Sequence, residues 1–284
     1  MMSKVVKTTV EMNGMTYTVR EAGMENEGEL VIFLHGFPEC SLIWEKTMAK
    51  LSDLGYRCFA PDQRGYSEGA RPDGYQNYAV NILAEDVIGF AELLGEHGKF
   101  HLVGHDFGAV VGWTVVAMHQ ERIISWTALS VPYWPAYYWA IQNDPEQQKK
   151  GAYVKHFQEP KVPEQMLAAN DYAILKRLWE GFDEKVIQEY MQIFDKADAL
   201  TAVVNWYRAL FMVDTGVQYQ NVTIPVMFIW GNQDLAIGRA GVEKSHTYMK
   251  GDYQFCELDA GHWLTEFNES EVSKLIITEI IGHR

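Results

Sequence analysis

Apolar and polar residues alternate along residues 5–11 and again along 15–21, with Asn13-Gly14 between the two runs. Successive side chains of a strand point to opposite faces, so this pattern predicts two half-buried strands, and Asn-Gly is the pair a tight hairpin turn favours. Further on the pattern changes to short runs rich in apolar residues, at 30–34, 57–61, 100–103, 123–129, 226–230 and 253–258. Continuous apolar runs of this length mark strands covered on both faces. Residues 44–54, 78–94 and 266–281 read as helices, the second with apolar residues at helical spacing. Strands alternating with helices predict a mostly parallel sheet with helices on both faces, an α/β fold.

The alternation stops at Pro132. From 132 to 221 the chain is rich in aromatic residues and helical in pattern, with no parallel-strand signature. The expected organisation is a core of residues 1–131 and 222–284, with 132–221 inserted as a helical cap. Such a cap belongs over the carboxyl ends of the strands, where ligands bind in sheets of this kind. No internal repeat or low-complexity segment interrupts the chain.

With 284 residues, 48% of them hydrophobic, the chain has enough material for one large core. A formal net charge of −14 argues against nucleic acid and anionic membrane surfaces as partners. Three cysteines, Cys40, Cys58 and Cys256, make no disulfide framework and fit a reducing compartment as small buried hydrophobes. The first residues lead into polar alternating sequence without an apolar signal core, and the longest apolar run, 109–118, is too short to span a membrane. A soluble cytoplasmic protein, monomer or homodimer, is expected.

The chemistry centres on His101-Leu102-Val103-Gly104-His105-Asp106-Phe107-Gly108. A short apolar strand turns sharply between two glycines into a helix of small residues. A turn of the G-x-nucleophile-x-G type strains its central residue and exposes that side chain above the sheet. The usual occupant is serine; here it is Asp106. A carboxylate suits attack on saturated carbon bearing a leaving group. Asp106, Asp234 and His262 each lie just past the end of an expected strand, in the order nucleophile, acid, histidine found around such elbows. No carboxylate follows the strand ending before Ser130-Val131-Pro132, which leaves Asp234 as the acid. The oxyanion hole of this arrangement joins the backbone N–H after the nucleophile, Phe107, to one from the His35-Gly36-Phe37-Pro38 loop, that of Phe37. His35 and His105 are expected to serve structure. No His, Cys or carboxylate cluster has metal-ligand spacing, and the glycine motif lacks a phosphate-binding pattern, so no cofactor or metal is expected.

The motifs His35-Gly36-Phe37-Pro38-Glu39, Gly104-His105-Asp106-Phe107-Gly108-Ala109, the Asp after the resumed strand and Ala260-Gly261-His262-Trp263 together resemble epoxide hydrolases of the α/β-hydrolase fold, across nearly the whole chain. Two cap segments, 153–160 and Asn205-Trp206-Tyr207-Arg208, are similar to those that bring ring-opening tyrosines over the nucleophile. The resemblance puts those roles on Tyr153 and Tyr207. A phenol is a neutral donor suited to the alkoxide that an opening epoxide develops. Phe37, Phe107, Trp134, His156 and Trp263 are expected to line the pocket, and a small apolar epoxide and water to be the reactants. The runner-up is a dehalogenase with the same Asp nucleophile. Haloalkane dehalogenases typically carry Asn and Trp where this chain has Phe37 and Phe107, and haloacetate dehalogenases typically place Arg where Phe107 stands. His156 and Tyr207 leave room for a halide in the cap. A non-catalytic binding protein on the same fold is a third reading, against which the complete triad weighs.

Overall fold

A computed structural model describes residues 4–284. The first two strands, β1 (Val6–Met12) and β2 (Met15–Ala22), pair antiparallel with Met12 opposite Met15. Asn13 and Gly14 both take positive φ, as a two-residue turn matched to strand twist requires. The remaining strands are β3 (Leu30–Leu34), β4 (Arg57–Pro61), β5 (Phe100–His105), β6 (Ile123–Leu129), β7 (Val226–Gly231) and β8 (Tyr253–Leu258). All eight form one sheet in the order β1-β2-β4-β3-β5-β6-β7-β8, parallel from β4 onward. Every residue of β3, β5 and β7 is buried, because these central strands have helices on both faces. On one side α2 (Val80–Leu93) packs on α3 (Phe107–His119); on the other α1 (Glu45–Asp53) packs on α12 (Glu269–Gly282). The first ten residues of α3 are all buried, so the apolar run that opens the helix belongs to the core.

Two helix boundaries differ from expectation. A 3-10 turn, Ser41–Trp44, precedes α1. The closing helix is broken at Asn268, whose backbone is not helical, into α11 (Leu264–Phe267) and α12. Asn competes with the helix for its own backbone hydrogen bonds and settles at helix ends.

Between β6 and β7 run α4 (Trp134–Asn143), α5 (Pro145–Lys150), α6 (Ala152–Phe157), α7 (Val162–Leu178), α8 (Glu184–Phe194) and α9 (Ala199–Met212), and α10 (Arg239–Ser245) lies between β7 and β8. Residues 170–172 interrupt α7 with three consecutive positive φ values, at Asn170, Asp171 and Tyr172. This helical layer is tied to the sheet by directed bonds. Trp206 Nε1–H donates to the Arg64 carbonyl at 2.8 Å, and Trp179 Nε1–H donates to the Pro38 carbonyl at 3.2 Å. Glu189 of α8 accepts from Arg20 of β2 and, at 2.6 Å, from Lys7 of β1. Among the described residues no helix is long and apolar enough to cross a membrane. Cys40 and Cys58 are buried, Cys256 is half-buried, and all three are free thiols.

Candidate active site

Asp106 sits between β5 and α3 with φ 52° and ψ −122°. A non-glycine residue held there carries a strain of order 1–3 kcal/mol that the surrounding packing must impose. The packing is close enough to do so. A Cβ on Gly104 would stand 2.6 Å from the Gly108 carbonyl oxygen, which is why strand and helix can approach only with glycine there. Gly36 plays the matching part opposite, since a Cβ on it would lie 2.3 Å from Asp106 Oδ1.

The loop after β3 therefore reaches the carboxylate directly: the Phe37 N–H donates to Asp106 Oδ1 at 2.8 Å. Phe107 is the first residue of α3, so its N–H is among those a helix cannot satisfy internally. His35 fixes the loop from behind. Its Nδ1–H donates to the Gly36 carbonyl at 3.0 Å, and its Nε2 accepts from the Gln63 N–H at 3.0 Å.

Asp234 and His262 meet Asp106 from the ends of β7 and β8. His262 Nδ1 lies 2.8 Å from Asp234 Oδ2, and its Nε2 lies 3.3 Å from Asp106 Oδ2. Asp234 Oδ1 accepts the N–H groups of Ala236 and Ile237 at 2.7 and 2.9 Å. All three side chains are buried. Burial favours the neutral form of Asp234, but the His262 charge and hydrogen bond and these two N–H groups outweigh it and hold its pKa low. Asp106 is likewise held low, against burial, chiefly by His262. Burial alone would depress His262; the Asp234 and Asp106 carboxylates reverse this and raise it well above the ordinary histidine range.

Two cap phenols complete the enclosure. Tyr153 of α6 and Tyr207 of α9 line the same cavity as Asp106, their ring centroids 6.1 Å apart. Burial, together with neighbouring acidic groups, raises both phenol pKa values well above 10, so both remain neutral donors. Arg208 ties α9 to α7 and to the segment that follows α6. Its guanidinium grips both Glu164 oxygens, at 2.7 and 2.9 Å, and donates to the Glu159 carbonyl at 2.8 Å.

The cavity, about 260 Å³, is apolar: Phe37, Phe157, Leu167, Leu178 and Trp263 surround the polar atoms of Asp106, His262 and the tyrosines. Phe107 lines a smaller adjoining space. Two expected pocket residues lie elsewhere. His156 is on the exposed edge of α6, 3.5 Å from Glu159, because α6 turns Val154 and Phe157 inward instead. Trp134 packs on Tyr138 and Phe211 at the outer start of α4, and Tyr137, in the next turn, lines the smaller space beside Asp106 instead.

Other parts of the site escaped the sequence pattern. Gln147 of α5 clamps the loop of Asp234, donating to the Ala236 carbonyl at 2.9 Å and accepting from the Gly238 N–H at 2.8 Å, while Lys150 donates to the Asp234 carbonyl. His105 bridges Glu39 and His262: its Nδ1 is 2.9 Å from Glu39, and its Nε2–H donates to the His262 carbonyl at 3.0 Å. Among the described residues no three His, Cys, Asp or Glu side chains gather into a metal site.

The chain belongs to the α/β hydrolase fold family, whose family model matches residues 29–269. It is 31% identical to the AB hydrolase superfamily protein YfhM of Bacillus subtilis, over 94% of this chain and 95% of that one. Several other relatives and solved structures that it resembles are epoxide hydrolases. Epoxide hydrolase A of Mycobacterium tuberculosis is 29% identical over 96% of each chain. The crystal structure of the Bacillus megaterium epoxide hydrolase in complex with an inhibitor superposes with a TM-score of 0.86 at 25% identity, covering 96% of this chain and 99% of that one.

Proposed function

We propose that this protein hydrolyses an apolar epoxide to a vicinal diol through an ester on Asp106. One observation carries the reading: an ionised carboxylate and two neutral phenols line one apolar cavity, with His262 at the carboxylate's edge. Asp106 Oδ2 forms a bond to a ring carbon as the carbon–oxygen bond of the epoxide breaks. Tyr153 and Tyr207 donate to the departing oxygen, which gains a proton as it becomes an alcohol. Oδ1, held by the Phe37 N–H, becomes the ester carbonyl.

In the second step water adds to the ester carbonyl carbon and gives its proton to His262, oriented by Asp234. The Phe37 and Phe107 N–H groups stabilise the oxyanion. Collapse breaks the bond from Cγ to the alkyl oxygen, returns a proton to that oxygen and frees the diol. The charges balance across the first step. Alkylation turns Asp106 into a neutral ester and removes one of the two anions that keep His262 protonated. His262 can then release its proton and act as a base when a base is needed, and the alkoxide takes up one proton in the same interval.

A dehalogenase reading keeps only Tyr207 of its two cap residues, because His156 faces solvent, and the Phe37 and Phe107 side chains offer a halide no N–H. The discriminating assay offers styrene oxide, a haloalkane and haloacetate in parallel. Diol from the epoxide without halide release is expected; halide release without diol overturns the reading.

A further inference from the structure

Two spaces of very different size meet at Asp106. On one side is the apolar cavity of about 260 Å³ described above. On the other is a neck of about 30 Å³ that also has Asp106, Tyr153 and Tyr207 in its wall. One water needs about 10–15 Å³ measured in this way, so the neck takes about two waters or one small group. Beyond it lies a cleft of about 520 Å³ edged by Gln142, Gln148, Gln158 and Lys155. Tyr137, Val154 and Phe211 are common to the neck and the cleft and therefore stand between them. Tyr137 is the largest of the buried members of this barrier, and Phe211 is partly exposed at its rim.

We propose that Tyr137, with Val154 and Phe211, restricts the enzyme to epoxides with one substantial apolar substituent. This rests on the epoxide hydrolase reading and adds which epoxides it takes. The large cavity receives the substituent. The second ring carbon then faces the neck, which accepts hydrogen or a methyl group and excludes a chain. The cleft outside, edged by Gln142, Gln148, Gln158 and Lys155, gives water a path to the ester that does not cross the large cavity. Selectivity follows from sterics: a single surplus methylene in a fitted pocket costs roughly 10–200-fold in kcat/KM.

The test compares hexyl oxirane with trans-dipropyl oxirane, isomers of one formula that place their carbons on one or both sides of the ring. The readout is the ratio of their kcat/KM values. In the wild type the terminal epoxide is favoured by about 100-fold or more. Tyr137→Ala, and independently Phe211→Ala at the exposed rim, reduce that ratio by about 10-fold or more, whereas Tyr137→Phe keeps it, because the ring and not the hydroxyl fills the neck. A wild-type ratio within about 3-fold of unity, or a ratio that neither alanine variant moves, overturns the proposal. Diol from styrene oxide but from neither isomer overturns this inference alone, and diol from none of the three overturns the epoxide reading and this inference with it.

Discussion

The Nε2 atom of His262 lies 3.3 Å from Oδ2 of Asp106, while Nδ1 of the same ring is 2.8 Å from Asp234. One imidazole thus sits between two buried carboxylates. In the proposed reaction its protonation state depends on whether Asp106 is a free anion or an ester.

This relationship can be measured. The two carboxylates raise the His262 pKa, with burial acting against them. Asp106→Asn removes one charge and imitates the neutral ester, so the imidazole should lose its proton at lower pH. An opposite charge this close is worth about 1–3 pKa units. Ring NMR of the two proteins should show the His262 titration at least about one unit lower in Asp106→Asn. Equal values would show that Asp106 does not control His262.

Replacing His262 by Gln should separate the half-reactions. In the proposed reaction alkylation uses Asp106 and the tyrosines, whereas ester hydrolysis uses His262 as the base. Intact-protein mass spectrometry after adding styrene oxide should show a lasting adduct on Asp106 and no sustained diol formation. Continued turnover without an adduct contradicts the two-step scheme.

The tyrosines should act before the ester and not after it. Tyr153→Phe and Tyr207→Phe are each expected to slow alkylation by up to about 10²-fold, less where the other phenol compensates, with the double variant losing far more. Stopped-flow tryptophan fluorescence of the alkylation phase gives the comparison. A double variant that alkylates at the wild-type rate would leave both tyrosines as packing only.

Most of the scaffold could be read from local pattern. The hairpin around Asn13-Gly14 and the fully buried β3, β5 and β7 depend on neighbours in sequence. The elbow was also legible, because Gly104 and Gly108 are needed wherever a strand and its following helix pack this closely. The cavity wall was not. Met166, Leu167, Ile174 and Leu178 come from α7 on both sides of its interruption at 170–172, and no local pattern says which face of a broken helix meets Asp106. The misplacement of Trp134 and His156 has the same origin. Both are near residues that do reach the site, yet His156 lies on the exposed side of α6 and Trp134 stops one turn short of Tyr137 at the start of α4. The bond between His105 and Glu39 joins positions 66 apart, and only the sheet brings them together.

Glu266, which accepts from Tyr190 at 3.2 Å, has a pKa pushed up to about 7, by burial first and then by the nearby Glu39. The folded protein therefore binds this proton more tightly than the unfolded chain does. Its stabilising effect is complete below the unfolded pKa of about 4.3, and declines as pH rises through about 7. The loss reaches at most about 4 kcal/mol, because each unit is worth about 1.4 kcal/mol. Glu266→Gln should flatten this part of the profile, making the variant more stable than the wild type at pH values above about 7. Melting curves across that range check it, and parallel profiles for the two proteins would contradict it.

The most direct test of the central claim, that Asp106 forms an ester later cleaved at its carbonyl carbon, follows oxygen through one turnover. Excess enzyme is mixed with epoxide in oxygen-18 water, and both the diol and the Asp106 peptide are weighed by mass spectrometry. Attack by Asp106 delivers a carboxylate oxygen to the product, so the first diol should be unlabelled and the label should appear in Asp106. Labelled diol in that first turnover, with Asp106 unchanged, would mean that water attacks the epoxide directly and that no ester forms.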